Sequence, residues 1–360
     1  MTDKADQTGE TAPLLLTRTT DKMRALLKEP SAGTTPPSPT SHRPARSVRG
    51  KLGFAGAVVA AMLVWVAIFA DLLAGDLPIA CKVQQKTWLF PNITHPVALT
   101  SLSAAELAAR TEWKIGPLVS SGPTTWHPDE RLAPPGTRGH PLGTDVAGRD
   151  VFSRLVFGTR NYLGFAFAAV LLSLFVGGVA GGVAGLKGGP LDALVGRAIE
   201  TVSSFPPLVL VVGIQAAVPR PTLGTLFIAI ALSRWPEVAR LVRGEVIRVA
   251  TQDYVLAARA LGASPLRILR KHIAPNVRGQ LAVLAAVGVP AVILIEASLD
   301  FLRVGAPAGA ASWGETMSEF RDATHAWWLL AFPGLLLLAT VVAVNLVGEA
   351  RRESLDPRSR

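Results

Sequence analysis

Asp145, Arg149, Asp150 and Arg154 place two carboxylates and two guanidinium groups within ten residues, a set that could hold a metal ion or do acid–base work. Alternating signs at helical spacing more often pair with one another along one face, and that self-paired face is the expectation here. His95, His127 and His140 follow no ligand spacing, and neither His-Glu-x-x-His nor Gly-x-Ser-x-Gly occurs, which argues against a membrane-embedded hydrolase. Gly181-Gly-Val-Ala-Gly-Leu-Lys187 is no phosphate loop, because Leu186 stands where glycine is required and no Ser or Thr follows Lys187. A single cysteine, Cys81, excludes an internal disulfide and a cysteine-rich metal site. No catalytic, cofactor-binding or metal-binding residue is expected.

One stretch does combine charge with strong helical pattern, Gln252 to Asn276. Thr251 or Asp253 caps a first helix running to about Leu261, with Tyr254, Ala258 and Leu261 on one face. Gly262 stops it. Ser264 followed by Pro265 starts a second helix, striped by Leu266, Leu269 and Ile273 and closed at Pro275. Arg259, Arg267, Arg270, Lys271 and His272 occupy the other faces, while Ala257, Ala258, Ala260 and Ala263 gather at the turn. This is the pattern of a compact two-helix knob whose small residues admit close contact with another protein. Basic side chains near a membrane also attract anionic lipid, but that explains the charge and not the small residues.

The knob needs elements to carry it, and the rest of the chain supplies apolar runs. With 49% hydrophobic residues the chain reads as a polytopic membrane protein, all-α, with six transmembrane helices. The runs are 52–73, 161–186, 194–217, 222–239, 280–299 and 327–348. The net charge of +10 fits basic flanks on apolar spans and not a nucleic-acid-binding face. Arg43, Arg46, Arg49 and Lys51 precede the first run without an acid among them, which places the N-terminus in the cytoplasm. Counting spans from there puts 234–278, with nine Arg or Lys against three acids, inside, and 300–326, with two against four, outside. The expected organisation is a disordered cytoplasmic tail 1–50, in which 14–16 and 23–27 could touch lipid or a partner, and a first helix 51–73. An outer segment 74–158, irregular apart from a capped helix at Ser103-Ala-Ala-Glu106, then leads to a membrane core 159–350 with the knob at 251–276 and a cytoplasmic tail 351–360. The first apolar run begins some fifty residues in and lacks a cleavage site, so no signal peptide is expected.

Within the core, Gly177, Gly181 and Gly185 form a four-residue ladder for close helix packing. Ser203-Ser-Phe205-Pro206-Pro207 breaks the third run, and a break at membrane depth must face protein or a water-filled path, which makes Phe205, Pro206 and Pro207 candidates for the pathway or gate. Glu296, near Asp300 and Arg303, is either an ion pair or cap at the interface or a substrate contact; the ion pair or cap is expected. Asp71 should meet water at the end of the first span, and Asn345 should bond to another helix.

These residues also carry a resemblance. Ala257, Ala258 and Gly262, with Ile273-Ala-Pro275-Asn276 near the expected end, resemble the cytoplasmic signature of ABC importer permeases, from which the chain departs at Leu256, where the motif has Glu, and at Ala274, usually Leu. His140-Pro-Leu-Gly-Thr-Asp145, Gly148 to Arg154, Phe205-Pro-Pro207, Arg240 to Glu245, Glu296 to Leu302, Ser312-Trp-Gly314 and Leu355-Asp-Pro357 are similar to the second permease subunit of dipeptide, oligopeptide and nickel importers. The resemblance implies a type I importer permease core in a bacterial inner membrane. It further implies a homologous permease partner, two cytoplasmic ATPase subunits that carry ATP and magnesium, and an extracytoplasmic substrate-binding protein. Asp253, Tyr254, Ala257, Ala258, Arg259, Gly262, Ala263, Ser264, Pro265, Arg267, Arg270, Lys271 and Pro275 would then couple to the ATPases, and the chain itself would be no enzyme. Peptides are the implied cargo, with nickel or another small solute as the alternative. Residues 74–139 are longer than the resemblance accounts for. An ion-gradient-driven transporter, the competing class, would need ionisable groups at mid-span, whereas nearly all charges here sit at span ends.

Overall fold

A computed structural model of the chain describes residues 46–305 and 309–355. The expected disorder of 1–45, the apolar stretches 14–16 and 23–27, and Asp356-Pro357 lie outside the described residues.

Helix α1, Arg46–Ile68, begins five residues before the expected start at 51, because nothing in Arg46–Lys51 stops a helix that the apolar run has nucleated. A short turn, α2 (Ala70–Leu73), ends it. The outer segment is more ordered than its Pro and Gly content suggests. Strands β1 (Ala80–Val83) and β2 (Lys86–Leu89) form a hairpin through Gln84 and Gln85, both at positive φ. Two single-turn helices follow, α3 (Pro91–Thr94) and α4 (Val97–Thr100). Helix α5 (Ala104–Arg110) has the expected capping box between Ser103 and Glu106. Strand β3 (Thr111–Ile115) then pairs antiparallel with β1, giving the order β2-β1-β3. The chain is thus mostly helical but not all-α. Its sheet is closed on one face by Leu77, Cys81, Val83 and Leu99, contacts between residues too far apart for a strand pattern to announce.

The membrane core starts at α6, Val151–Lys187, capped by Asp150, whose carboxylate accepts from the Ser153 N–H at 2.7 Å. Helices α7 (Gly189–Ser203) and α8 (Pro207–Ala217) meet at a bend of 90°. The successive prolines at 206 and 207 supply the cause, since neither donates an N–H and each holds the preceding residue out of the helical region. Helix α9, Leu223–Ala250, is capped by Thr222 and continues well past the apolar run. Then come α10 (Asp253–Ala260), α11 (Pro265–Ile268), a π turn at Leu269–Ile273, α12 (Ala274–Phe301), α13 (Trp313–Glu319) and α14 (Trp328–Leu355).

Four of these helical segments are long and apolar enough to cross a membrane, namely 50–68, 151–187, 265–301 and 328–350, and a fifth is gained if the bent α7–α8 pair is one span. On length and composition this makes four or five, against the six apolar runs of the sequence. The 222–239 run is helical, but Arg234, Glu237 and Arg240 interrupt its apolar length, so α9 does not qualify on composition. Its apolar face is used inside the protein. Leu226, Ala229 and Ile230 join Tyr162, Ala166, Ala169, Val292 and Ile293 in the principal core.

The glycine ladder makes that packing close. A Cβ on Gly177 would lie 2.6 Å from the Trp235 carbonyl, one on Gly185 would lie 2.9 Å from that of Arg243, and one on Gly181 would enter the Ala239 backbone. Helices α6 and α9 therefore approach backbone to backbone. Trp313 stacks on Tyr162 at 4.7 Å and donates its indole N–H to the Leu155 carbonyl at 3.1 Å, fixing α13 over the start of α6.

Candidate functional site

The two-helix knob is present, with altered ends. The N-cap of α10 is Gln252 and no side chain caps it; Thr251 instead bonds back to the Arg248 carbonyl, since it ends α9. At the C-terminus, Gly262 takes φ +81°, its N–H bonds to the Arg259 carbonyl at 3.0 Å, and Ala263 N–H bonds to that of Ala258 at 3.0 Å. Those two bonds make a Schellman motif, which needs a left-handed residue at position 262. Ser264 then caps α11 through the Arg267 N–H, with Pro265 at the first helical position.

Pro275 does not close the second helix. The chain runs from Pro265 to Phe301 as one 37-residue helical segment, and the loss of the Pro275 N–H is absorbed by the π turn just before it. Asn276 donates its side-chain amide to the His272 carbonyl at 2.6 Å, within the same stretch. The consequence is mechanical, because the knob's second helix is the end of a membrane span and not a separate piece.

Val255, Ile268 and Ile273 are buried at the base of the knob against Val242, Val246 and Val249 of α9 and Val277 of α12. Ala258 and Ala263 are half-buried there. Asp253, Tyr254, Ala257, Arg259, Gly262, Ser264, Pro265, Arg267, Arg270, Lys271 and Pro275 are exposed. Leu261, at 89% exposure, is the most prominent apolar group of the tip, and Leu256 and Leu266 are exposed beside it. Ser264, Leu266, Arg267, Arg270 and Lys271 line a shallow open hollow. The remaining candidates lie apart from the knob. Phe205, Pro206 and Pro207 are exposed at the α7–α8 bend. Glu296 is buried in α12 and its Oε2 has no hydrogen-bond partner among the described residues.

A sequence profile described as "Binding-protein-dependent transport system inner membrane component" matches residues 174–360, more than half the chain and all of the knob. The chain belongs to this family. Among curated relatives, this permease is 36% identical over 248 residues to the "Dipeptide transport system permease protein DppC" of Bacillus subtilis, an alignment spanning 68% of this chain and 77% of that protein. It is 37% identical over 227 residues to the "Oligopeptide transport system permease protein OppC" of the same organism, spanning 63% and 74%. Among solved structures, a MetNI methionine ABC transporter chain aligns at TM-score 0.48 and 20% identity, covering 57% of this chain and 97% of that one.

The Asp145–Arg154 cluster of the permease is self-paired, though not along a helix. Residues 145–150 form a turn ahead of α6, in which the Asp145 carboxylate accepts from the N–H groups of Ala147 and Arg149 and pairs with the Arg149 guanidinium at 2.6 Å. Its other partners come from α13: Arg149 reaches Glu319 at 2.6 Å and Arg154 reaches Glu315 at 3.1 Å. His140 bridges Asp150 and Glu130, each at 2.8 Å. Sequence spacing alone misses Glu315 and Glu319, which lie some 170 residues away. Other pairings also need correction. Arg303 pairs with Asp322 and not Glu296, and Asp71 pairs with Arg160 at 2.7 Å. Asn345 lies on the exposed surface of the chain.

Burial pushes the Glu319 carboxyl up to about 7, helped by the Asp145 carboxylate and opposed by Arg154 and Arg149. Burial alone would lower His140, but its bonds to Asp150 and Glu130 outweigh that and raise it. Both shifts mean that the folded state holds protons more tightly than the unfolded one. Their stabilisation is full below the unfolded values and is lost as pH rises through the folded ones, for Glu319 between 4.5 and about 7. The melting temperature of the purified permease is expected to fall between about pH 5 and about pH 8, and Glu319→Gln to flatten that slope. A melting temperature that rises over the interval counts against this account.

Proposed function

We propose that this permease forms half of the translocation pathway of an ATP-driven importer of di- or oligopeptides, and that residues 251–276 couple it to separate ATPase subunits. The observation that carries the proposal is the knob's construction, with an exposed apolar and basic tip on a buried base shared by α9 and α12. A push on the tip reaches two core helices without passing through a hinge. Only a difference in contacts between the two transport states can drive a change in access, and a tip that binds one ATPase arrangement better than the other would supply it.

The exposed Leu256 stands where the motif of the family carries an acid, so recognition here rests on shape, on Leu256 and Leu261, and on Arg259, Arg267, Arg270 and Lys271. In this proposal both termini lie in the cytoplasm of a bacterium, and the knob faces the same compartment. The substrate-binding protein docks over parts of 74–158 and 300–326, and a homologous permease completes the pathway near the α7–α8 bend, where Phe205, Pro206 and Pro207 are exposed. Peptide cargo follows the dipeptide and oligopeptide systems named for two of its relatives.

Purified alone, the chain is expected to hydrolyse no ATP. Co-expressed with its neighbouring transporter subunits and reconstituted, it is expected to support ATP-dependent uptake of labelled peptides. Robust hydrolysis by the single chain would overturn the division of labour, and uptake of nickel but not peptides would replace the cargo.

A further inference from the structure

Residues 87–105, which span β2 to the start of α5, contain no Asp, Glu, Lys or Arg. Within them, α3 and α4 are fastened from inside. Pro91, Asn92 and Leu99 are buried, and Leu99 packs with Leu77, Cys81 and Val83 under the sheet. Phe90 and His95 hold φ of +54° and +45°, conformations uncommon for residues with a side chain and kept only where surrounding contacts fix them. This rigid frame turns Leu89, Phe90, Ile93 and Val97 outward, with exposures of 69, 50, 54 and 80%.

The depth of this patch is set by hydrogen bonds. Asn92 donates its side-chain amide to the Asp71 carbonyl, in the turn that directly follows the first span. Close by, Val119 N–H bonds to the Leu73 carbonyl at 3.0 Å, and Arg160 holds the Ala67 carbonyl at 2.7 Å. The first span is exposed and apolar up to that level, with Met62, Trp65 and Ile68 outward, and the Asn92 bond sets Phe90 and Ile93 at the same level.

The sheet is polarised in the same sense. Its end nearest the span carries Ile79, Leu89 and Ile115, with Lys114 one rung further in, and its far end carries Lys82, Gln84, Gln85, Lys86 and Glu112. Apolar groups beside a membrane span, uncharged over their whole segment and backed by a polar far side, match the surface of a protein that lies in a lipid interface.

We propose that residues 89–97 form an interfacial anchor, inserting Leu89, Phe90, Ile93 and Val97 into the lipid leaflet at which the first span ends. The anchor fixes the outer end of α1 relative to the bilayer through Asn92. It is independent of which compartment that leaflet faces and of what the permease transports.

The test places a fluorescent label on Ile93→Cys or Val97→Cys in the full transporter complex, reconstituted in phosphatidylcholine vesicles without any substrate-binding protein. Cys81 is buried, so wild type serves as the labelling blank. Nitroxide on a shallow acyl-chain position is expected to quench both labels at least twice as strongly as aqueous iodide does, and a label on Lys86→Cys to show the reverse. Iodide quenching without lipid quenching at both positions overturns the anchor. So does shielding from iodide that appears only on adding the binding protein, or only at high protein-to-lipid ratio, since these mark a protein partner or a second copy as the occupant.

Discussion

Gly262→Leu is expected to abolish substrate uptake by the reconstituted transporter while the chain still inserts and keeps its helical content. The reason lies in the backbone. Gly262 sits at φ +81° with nothing within 4 Å of where a Cβ would lie, so a side chain meets no obstacle in this chain but holds a conformation that L-residues avoid, at about 1–2 kcal/mol. The turn can relieve that strain only by giving up the bonds from Gly262 and Ala263 to α10, which tilts α10 away from α11. Because α11 runs on into the span that ends at Phe301, the tilt falls on the docking surface and leaves the core intact. Gly262→Asn supplies the control. Asparagine tolerates the left-handed region, so that variant is expected to keep most of its uptake. Normal uptake in the leucine variant, measured beside ATP hydrolysis, would rule out a coupling role for the turn.

Arg154→Met is expected to cost the most stability, about 3–5 kcal/mol, because it removes one partner of a buried ionic network. Arg154 is fully buried and holds Glu315 at 3.1 Å, Asp145 at 3.5 Å, and the carbonyl of Ala310 at 3.0 Å. Methionine fills much of the volume but leaves the Glu315 carboxylate with only the Arg149 guanidinium at 3.9 Å and the Gly309 N–H at 2.9 Å to oppose its charge. Thermal unfolding in detergent should show a large drop, and the double variant Arg154→Met with Glu315→Gln should recover part of it, since the poorly compensated charge is then gone. A double variant no more stable than the single one would mean that packing, and not charge, dominates at this position.

The knob and the outer network differ in how far they can be read from the chain. Gly262, Ser264 and Pro265 act on neighbours within four residues, so their types and spacing disclose the turn, its left-handed glycine and the start of the next helix. Pro275 is the counter-example. Locally it ends a helix, but the energetic advantage of continuing into an apolar span outweighs one lost bond, and a π turn absorbs it. The α7–α8 break at Pro206-Pro207 was legible for the same local reason as the turn. The partners that Arg149 and Arg154 find on α13 were not, because α13 is held beside them by tertiary packing, with Trp313 stacked on Tyr162.

By itself the sequence determined what local chemistry and length can determine. That covers the helical membrane core, the broken third run, the glycine ladder, the knob with its Gly262 turn, and the family resemblance carried by short motifs. Tertiary structure alone decided the three-stranded sheet of residues 80–115, whose strands pair across about thirty residues, and the packing of the apolar face of α9 into the principal core. It also decided which carboxylate each arginine holds and that Glu296 Oε2 stays unbonded among the described residues. Each of these outcomes depends on the packing of distant segments, which neither residue type nor spacing encodes.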